Sequence, residues 1–176
     1  LRNSFIFNYK FDKNNIKFFH PENEKNLFYQ SRLLGSINLE PFFFDLNLNL
    51  SGISLETLQK YVFLNMYKFN KSSHVNFNGN LKINLEEFNN RLFEKYNLTI
   101  NFLDQKISLN ESNLFLKKIG KINFSDPLFY EKNQKLFVKS KIKFDIIDQE
   151  QLYKRFQVPR ASRINLNKVY FEIEYN

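Results

Sequence analysis

Alternation of apolar and polar residues at every second position dominates this chain and constrains its fold more than any other feature. The clearest runs extend from Phe42 to Leu50, from Val75 to Leu85 and from Leu136 to Ile146. Successive side chains of a β-strand point to opposite faces, so a period of two predicts strands with one apolar and one polar face. The pattern predicts about nine strands and therefore a mainly β protein.

Three short segments have helical rather than strand-like spacing. Ser54 can cap a helix that continues through Val62, and Asp148 can cap another that stops before Pro159. Between them, the pair Glu86 and Glu87 can open a helix with Phe88, Leu92 and Phe93 on one side. No Gly-, Ser- or Pro-rich linker interrupts the chain. We therefore expect residues 1–176 to form a single domain, as a segment of a longer protein.

The composition raises the question of what covers the apolar strand faces. Hydrophobic residues make up 43% of the chain and aromatic residues 18%, with 22 Phe. Three short helices cannot cover nine strands, so the apolar side must meet another sheet, its own curled continuation or an apolar ligand. Two architectures remain open: a closed β-sandwich packed with Phe, and a curled antiparallel sheet that leaves an open apolar trough.

The residues that usually carry catalysis or bind metals are scarce. The chain has no Cys, its only histidines are His20 and His74, far apart in sequence, and its four glycines stand singly. Such a set supplies no thiolate, no clustered metal ligands and no Gly-rich phosphate loop. We expect no enzymatic activity, no metal and no cofactor.

The charge pattern leaves two interpretations open. The net charge is +8, and the polar side of the third run carries Lys139, Lys141 and Lys143. These lysines are either a solvated strand face or an electrostatic footprint for phosphates of lipid headgroups or nucleic acid. The chain begins without a recognisable leader, and its apolar runs are far shorter than a bilayer requires. We expect any membrane anchor to lie in a segment that is not present here.

One stretch resembles the AsmA-like family of bacterial envelope proteins. The residues from Gly35 to Leu48 read GSINLEPFFFDLNL and are followed by Gly52-Ile53-Ser54-Leu55. This is similar to that family's order of a strand, a Pro-Phe corner, an alternating strand and a short helix. Gly120 to Ser125, Phe156 to Pro159 and Arg163-Ile164 are similar to its C-terminal part.

The resemblance implies a long curled β-sheet with a hydrophobic groove, described as a β-taco, in a periplasmic protein anchored to the inner membrane. It implies a non-enzymatic role in lipid transport between membranes or in outer-membrane biogenesis. The partners would be phospholipid or another membrane lipid, and envelope proteins, with no nucleic acid expected. This chain is much shorter than typical members of the family.

The interpretation that joins these observations is a hydrophobic β-groove that binds acyl chains in the cell envelope, with headgroup contacts at Lys139, Lys141 and Lys143. The alternatives are a closed β-sandwich that docks proteins and a basic module that binds single-stranded nucleic acid. The groove candidates are the apolar members of the three alternating runs: Phe42, Phe44, Leu46, Leu48, Leu50, Val75, Phe77, Leu81, Ile83, Leu136, Val138, Ile142, Phe144 and Ile146.

Overall fold

Most described residues of the chain belong to β-strands. The structure, a computed structural model, describes residues 5–19, 31–50, 53–54, 57–58, 65, 78–86, 91–104, 106–109, 111–133 and 135–175. The strands are β1 (Phe5–Ile6), β2 (Asn8–Asp12), β3 (Asn15–Phe19), β4 (Ser31–Leu39), β5 (Phe42–Leu50), β6 (Asn78–Glu86), β7 (Phe93–Leu103), β8 (Lys106–Ser108), β9 (Ser112–Leu116), β10 (Gly120–Lys132), β11 (Lys135–Ile146) and β12 (Lys168–Tyr175).

The strands form one sheet in the order β12-β11-β10-β9-β7-β6-β5-β4-β3-β2. Two short strands lie off this path, because β1 pairs with β4 and β8 pairs with β7. The order does not close on itself, so among the described residues β2 and β12 are the two margins of the sheet. The mainly β prediction is confirmed, and a curled sheet is compatible with this arrangement.

The sheet is mixed rather than wholly antiparallel, which corrects the sequence-based expectation. Strands β5 and β6 run parallel, as do β1 and β4. Parallel neighbours need a crossover between them, and residues 51–77 supply it for β5 and β6. Alternation specifies which face a side chain occupies but carries no information on strand direction.

The prediction of three helices is not matched. Among the described residues, only α1 (Gln149–Arg155) is an α-helix with defined bounds, and a single 3-10 turn covers Arg160–Ser162. Leu92 and Phe93, expected in the second helix, lie in a bend and at the start of β7, while residues 87–90 lie outside the described part. Thr57 and Leu58 are helical, and Ser54 Oγ accepts a hydrogen bond from the Thr57 backbone N–H at 3.1 Å.

The third helix forms where the sequence predicts it. Asp148 has an extended backbone, and its Oδ1 accepts a hydrogen bond from the Gln151 backbone N–H at 3.0 Å. This bond satisfies one of the free donors of the first helical turn. The helix ends at Arg155, four residues before Pro159.

The hydrophobic core lies on one side of the sheet. Its central cluster includes Ile83, Leu85, Leu98 and Ile100 from β6 and β7, and Leu58 from the crossover packs against it. A second cluster joins Leu116 and Ile119 to Leu152 and Tyr153 of α1. Helix α1 therefore covers the end of the sheet where β10 begins and β11 ends.

Candidate functional site

Strand pairing assembles the apolar positions into one continuous surface, which we call the apolar face. Leu48 of β5 pairs with Leu33 of β4 and with Ile83 of β6, and Ile83 pairs with Leu98 of β7. Directly paired residues point to the same side of a sheet. Members on the ten strands from β2 to β12 are Tyr9, Phe11, Ile16, Phe18, Leu33, Ile37, Phe44, Leu46, Leu48, Leu50, Leu81, Ile83, Leu85, Tyr96, Leu98, Ile100, Phe102, Leu114, Leu116, Ile122, Phe124, Val138, Ile142, Phe144, Ile146, Val169, Phe171 and Ile173.

Burial along the apolar face falls from the centre toward both margins. Leu85 and Ile100 are fully buried in the centre. At one margin Tyr9 is 66% exposed, and at the other Phe171 is 42% exposed. Between these limits the face has half-buried members, among them Leu46, Leu48, Leu81, Ile122, Phe124 and Phe144. The face therefore has a closed centre flanked by apolar surface that a ligand can reach.

Two aromatic side chains lean toward each other across the middle of this face. The ring centroids of Tyr96 on β7 and Phe124 on β10 lie 6.3 Å apart in a T-shaped arrangement, with β9 between their strands. Burial raises the pKa of the Tyr96 hydroxyl far above its usual value. Tyr96 therefore stays neutral and acts as part of the apolar surface.

One end of the apolar face is closed by α1 and the segment that follows it. The Tyr153 hydroxyl donates a hydrogen bond to the Ile164 carbonyl oxygen, and the Arg163 guanidinium lies 5.3 Å from the Tyr153 ring centroid. Arg163 Nε also donates to the Val158 carbonyl oxygen at 3.2 Å. These contacts hold the segment between α1 and β12 against the helix.

Most groove candidates predicted from the sequence lie together. Phe44, Leu46, Leu48 and Leu50 share a face with Leu81 and Ile83, as do Val138, Ile142, Phe144 and Ile146 farther along the sheet. The prediction that the β5 and β6 sets share one side is confirmed for the described residues. Phe42 pairs with Leu39 on this side, and Leu136 of β11 pairs with Glu131 of β10. Val75 and Phe77 lie outside the described residues.

The predicted headgroup lysines lie elsewhere. Lys139, Lys141 and Lys143 alternate with Ile142 and Phe144 along β11, so they point to the opposite, polar face. Each has an acidic partner: Lys139 Nζ lies 2.6 Å from Glu172, Lys141 Nζ 3.3 Å from Asp126, and Lys143 Nζ 3.0 Å from Asp145. Lys139 connects β11 to β12 and Lys141 connects β11 to β10, whereas Lys143 and Asp145 lie on the same strand. None of the three lysines lines the apolar face.

Sequence reasoning missed the organisation of the polar face. Asn84 Nδ2 donates to Asn47 Oδ1 and to Asn49 Oδ1, both at 2.9 Å, and Asn97 Nδ2 lies 3.4 Å from Asn113 Oδ1. The signal was present, because the outward positions of β5 and β6 are rich in Asn. The amides join neighbouring strands and form a polar layer behind the apolar face.

Sequence reasoning also left central members of the apolar face out of the candidate set, including Leu98, Ile100, Phe102, Leu114 and Phe124. Their own alternation in β7, β9 and β10 could have identified them. Leu58 could not have been found in this way, because its position on the central cluster depends on the crossover.

No group of three or more His, Cys, Asp or Glu residues within the described ranges could hold a metal ion. In the same part of the chain, no helix has the length and apolar character to span a bilayer. Comparisons with family models, with curated proteins and with solved structures found no match to this chain.

Proposed function

We propose that this chain is a non-enzymatic lipid-binding segment whose apolar face accepts acyl chains. The observation that carries the proposal is the continuity of the apolar face across ten strands, with half-buried members on either side of a closed centre. An exposed apolar surface of this extent on a sheet is typical of a site for an apolar ligand or partner.

The energetics favour an acyl chain over a small polar ligand. Each methylene removed from water contributes about 0.8 kcal/mol, so a chain that buries ten methylenes gains about 8 kcal/mol before entropic costs. The half-buried Leu46, Leu48 and Leu81 lie on adjacent strands and offer aliphatic contacts at paired positions. The fully buried Ile83 and Ile100 form the floor beneath such a chain.

The finer architecture in this proposal is a sheet curled toward its apolar face to form a β-groove. The leaning rings of Tyr96 and Phe124 support this curvature, because rings on strands two apart approach each other on the inner side of a bend. Strands β4 and β5, joined at Glu40-Pro41 and followed by the Ser54 turn, match the order of elements that resembles the AsmA-like family. We propose a periplasmic location and a role in lipid transport between membranes or in outer-membrane biogenesis.

The single-strand nucleic-acid hypothesis is less well supported. Such binders combine free basic side chains with exposed aromatic stacking platforms on one surface. The lysine row of β11 is paired with carboxylates, and its neighbours Ile142 and Phe144 lie on the other face.

The closed β-sandwich is also less well supported, because the described strands form one open sheet rather than two packed sheets.

The proposal is tested by native mass spectrometry of the gently purified protein and by lipid extraction from matched variants. Leu48→Glu and Phe144→Glu place a carboxylate on half-buried positions of the apolar face. Asn47→Glu is the control, because Asn47 lies on the polar face of the same strand and a carboxylate can still accept the hydrogen bond from Asn84 Nδ2. Lys143→Glu is unsuitable as a control, since Lys143 pairs with Asp145.

We expect phospholipid to copurify with the wild-type protein and with Asn47→Glu, and to be lost from folded Leu48→Glu and Phe144→Glu. Folded inward variants that carry a normal lipid load contradict the proposal. A lipid-free wild-type protein with both inward variants unfolded supports a structural module instead.

A further inference from the structure

We infer that the hairpin formed by β2 and β3 (residues 8–19), called here the marginal hairpin, docks on an anionic bilayer surface. The inference deepens the proposed lipid-binding function and rests on it for its purpose, since a bilayer is where acyl chains would enter the apolar face. Its physical basis is separate, because it depends on the side chains of the hairpin and of the preceding residue, Phe7.

The first observation is the exposure of aromatic side chains on this hairpin. Every residue of β2 is exposed, with Tyr9 at 66% and Phe11 at 59%. Phe7 is 43% exposed, and its ring lies 5.7 Å from that of Phe18. Adjacent aromatic rings on a water-exposed strand are unfavourable in solution and favourable in the interfacial region of a membrane.

The second observation is the state of the hairpin lysines. Lys10 is directly opposite Lys17 in the pairing of β2 with β3, and Lys13 lies in the connecting turn. All three are exposed, and no carboxylate of the described residues lies within ion-pair distance of them. Like charges directly opposite each other destabilise a strand pair, and an anionic surface relieves this repulsion.

The lysines of β11 differ from those of the marginal hairpin in having acidic partners. Lys139, Lys141 and Lys143 each have a carboxylate partner within 3.3 Å. Both margins expose aromatic side chains, since Tyr170 of β12 is 70% exposed and Phe171 42%, so the margins differ in unpaired positive charge rather than in aromatic exposure.

Tyr9 and Phe11 of the marginal hairpin lie on the apolar face, whereas Lys10 and Lys17 lie on the opposite face. The hairpin is therefore amphipathic, with exposed aromatic rings and unpaired lysines on opposite sides of one sheet edge, as segments that lie at a membrane interface have.

A bilayer fits this surface better than a second copy of the chain. Antiparallel pairing of β2 with β2 of another copy would add further lysines to an edge that already opposes Lys10 to Lys17. An interfacial position instead places the aromatic rings among the headgroups and the lysine ammonium groups beside phosphates. One lysine near an anionic surface contributes about a fivefold gain in binding, so three give on the order of 100-fold at low salt.

The hairpin is also continuous with the rest of the apolar face. Phe11 pairs with Ile16, Ile16 with Ile37, and Ile37 with Phe44. A chain leaving the bilayer at the hairpin therefore meets apolar side chains on each strand as far as the buried centre.

Tryptophan reporters and vesicles test the inference. The chain contains no Trp, so Phe11→Trp and Phe171→Trp each introduce a single fluorophore, one at either margin. The probes are vesicles of phosphatidylcholine alone and vesicles of equimolar phosphatidylglycerol and phosphatidylcholine. We expect the Phe11→Trp emission to shift to the blue with anionic vesicles only, and the Phe171→Trp emission to stay unchanged.

Cosedimentation of charge variants with the same vesicles supplies the second measurement. We expect Lys10→Gln combined with Lys17→Gln to lose at least tenfold in binding to anionic vesicles, while Lys139→Gln combined with Lys141→Gln binds like wild type. All variants should fold and keep the wild-type circular dichroism spectrum, because these lysines are exposed or half-exposed. The Lys139 and Lys141 variant should melt slightly below wild type, since it loses two exposed ion pairs, and the Lys10 and Lys17 variant should melt no lower than wild type.

Equal binding to both vesicle types, or a blue shift at position 171 without one at position 11, overturns the inference. Its outcome is separable from that of the proposed function. If the protein sediments with anionic vesicles but carries no extractable lipid, the docking inference stands and the acyl-binding proposal is wrong. If the protein carries lipid but does not bind vesicles, the acyl-binding proposal stands and the docking inference is wrong.

Discussion

The ring centroids of Phe44 and Phe102 lie 5.5 Å apart, although β6 separates the two strands that carry these rings. Strands two positions apart in a sheet are separated by about 9–10 Å. The residue between them is Gly79, which pairs with both. A Cβ at Gly79 would lie 2.5 Å from the Phe44 ring and 2.4 Å from the Phe44 carbonyl oxygen. The rings therefore close over a position that has no room for a side chain.

Gly79→Ala should for this reason destabilise the protein. Overpacking at a buried position typically costs about 1–3 kcal/mol, and here backbone as well as ring atoms must move. Urea denaturation measures the loss. Asn80→Ala, one residue along on the polar face, is the control and should change the free energy of unfolding by about 0.5 kcal/mol or less. Equal effects of the two variants would show that the close contact at Gly79 is unimportant.

A carboxylate introduced on the apolar face should destabilise the protein more at a buried central position than at a half-buried position beside it. Ile100 is fully buried and Leu48 half-buried. We expect Ile100→Glu to lower the free energy of unfolding by about 3–5 kcal/mol, as an unpaired buried charge does, and Leu48→Glu to lower it by clearly less. Chemical denaturation of both variants, with Asn47→Glu as the control, gives the comparison. Similar large losses in both inward variants would mean that the flanks are as closed as the centre.

The ion pair of β11 with β12 should make this margin sensitive to pH. A hydrogen bond from Lys139 lowers the pKa of the Glu172 carboxyl, and that bond in turn raises the pKa of the Lys139 ammonium. A carboxyl pKa that is lower in the folded state stabilises the fold above its unfolded value, and this stability is lost as the pH falls through the folded value. An ammonium pKa that is higher in the folded state loses its contribution as the pH rises through that raised value.

The measurement is the difference in melting temperature between wild type and Glu172→Gln across a pH series. We expect wild type to melt higher at neutral pH and the difference to vanish in acid, where Glu172 is protonated in both folded and unfolded chains. Added salt should also reduce the difference, because the pair is exposed. A difference that is unchanged down to strongly acidic pH would rule out the ion pair as its source.

The cap of α1 should contribute to stability without affecting lipid binding. Asp148→Ala removes the acceptor for the Gln151 backbone N–H and is expected to cost about 1 kcal/mol. Asp148→Asn keeps an acceptor oxygen and should recover most of this loss. Thermal melts and the amount of extracted lipid are compared for the two variants. If Asp148→Ala folds but carries no lipid, the prediction is wrong and this end of the sheet takes a direct part in lipid binding.

The sequence predicted face assignments well because they depend on local alternation alone. Leu48 and Ile83 were placed on one side from the period of two, and their direct pairing follows from the same geometry. The hairpin turns at Asp12–Asn15 and Glu40-Pro41 were also visible as breaks between alternating runs. The cap at Asp148 was predictable since its side chain acts on a neighbour three residues away.

What the sequence could not predict depends on contacts between distant residues. The parallel pairing of β5 with β6 and the packing of Leu58 on the central cluster are set by the path of the crossover. Pairing of Lys139 with Glu172 needed the register of β11 with β12, which alternation does not specify. Phe93 was assigned to a helix because Phe88, Leu92 and Phe93 have helical spacing, but pairing with β9 places it in a strand.

The parallel junction between β5 and β6 also divides the sheet into two groups of strands that can assemble separately. Strands β2 to β5 pair in their sequence order, and β6 to β12 pair mainly with near neighbours in sequence. Joining the two groups requires closing the loop of residues 51–77, which costs more chain entropy than any hairpin turn. Residues 8–50 and 78–175 should therefore gain strand structure as two independent kinetic units, and formation of the β5–β6 seam should be the slow step that unites them.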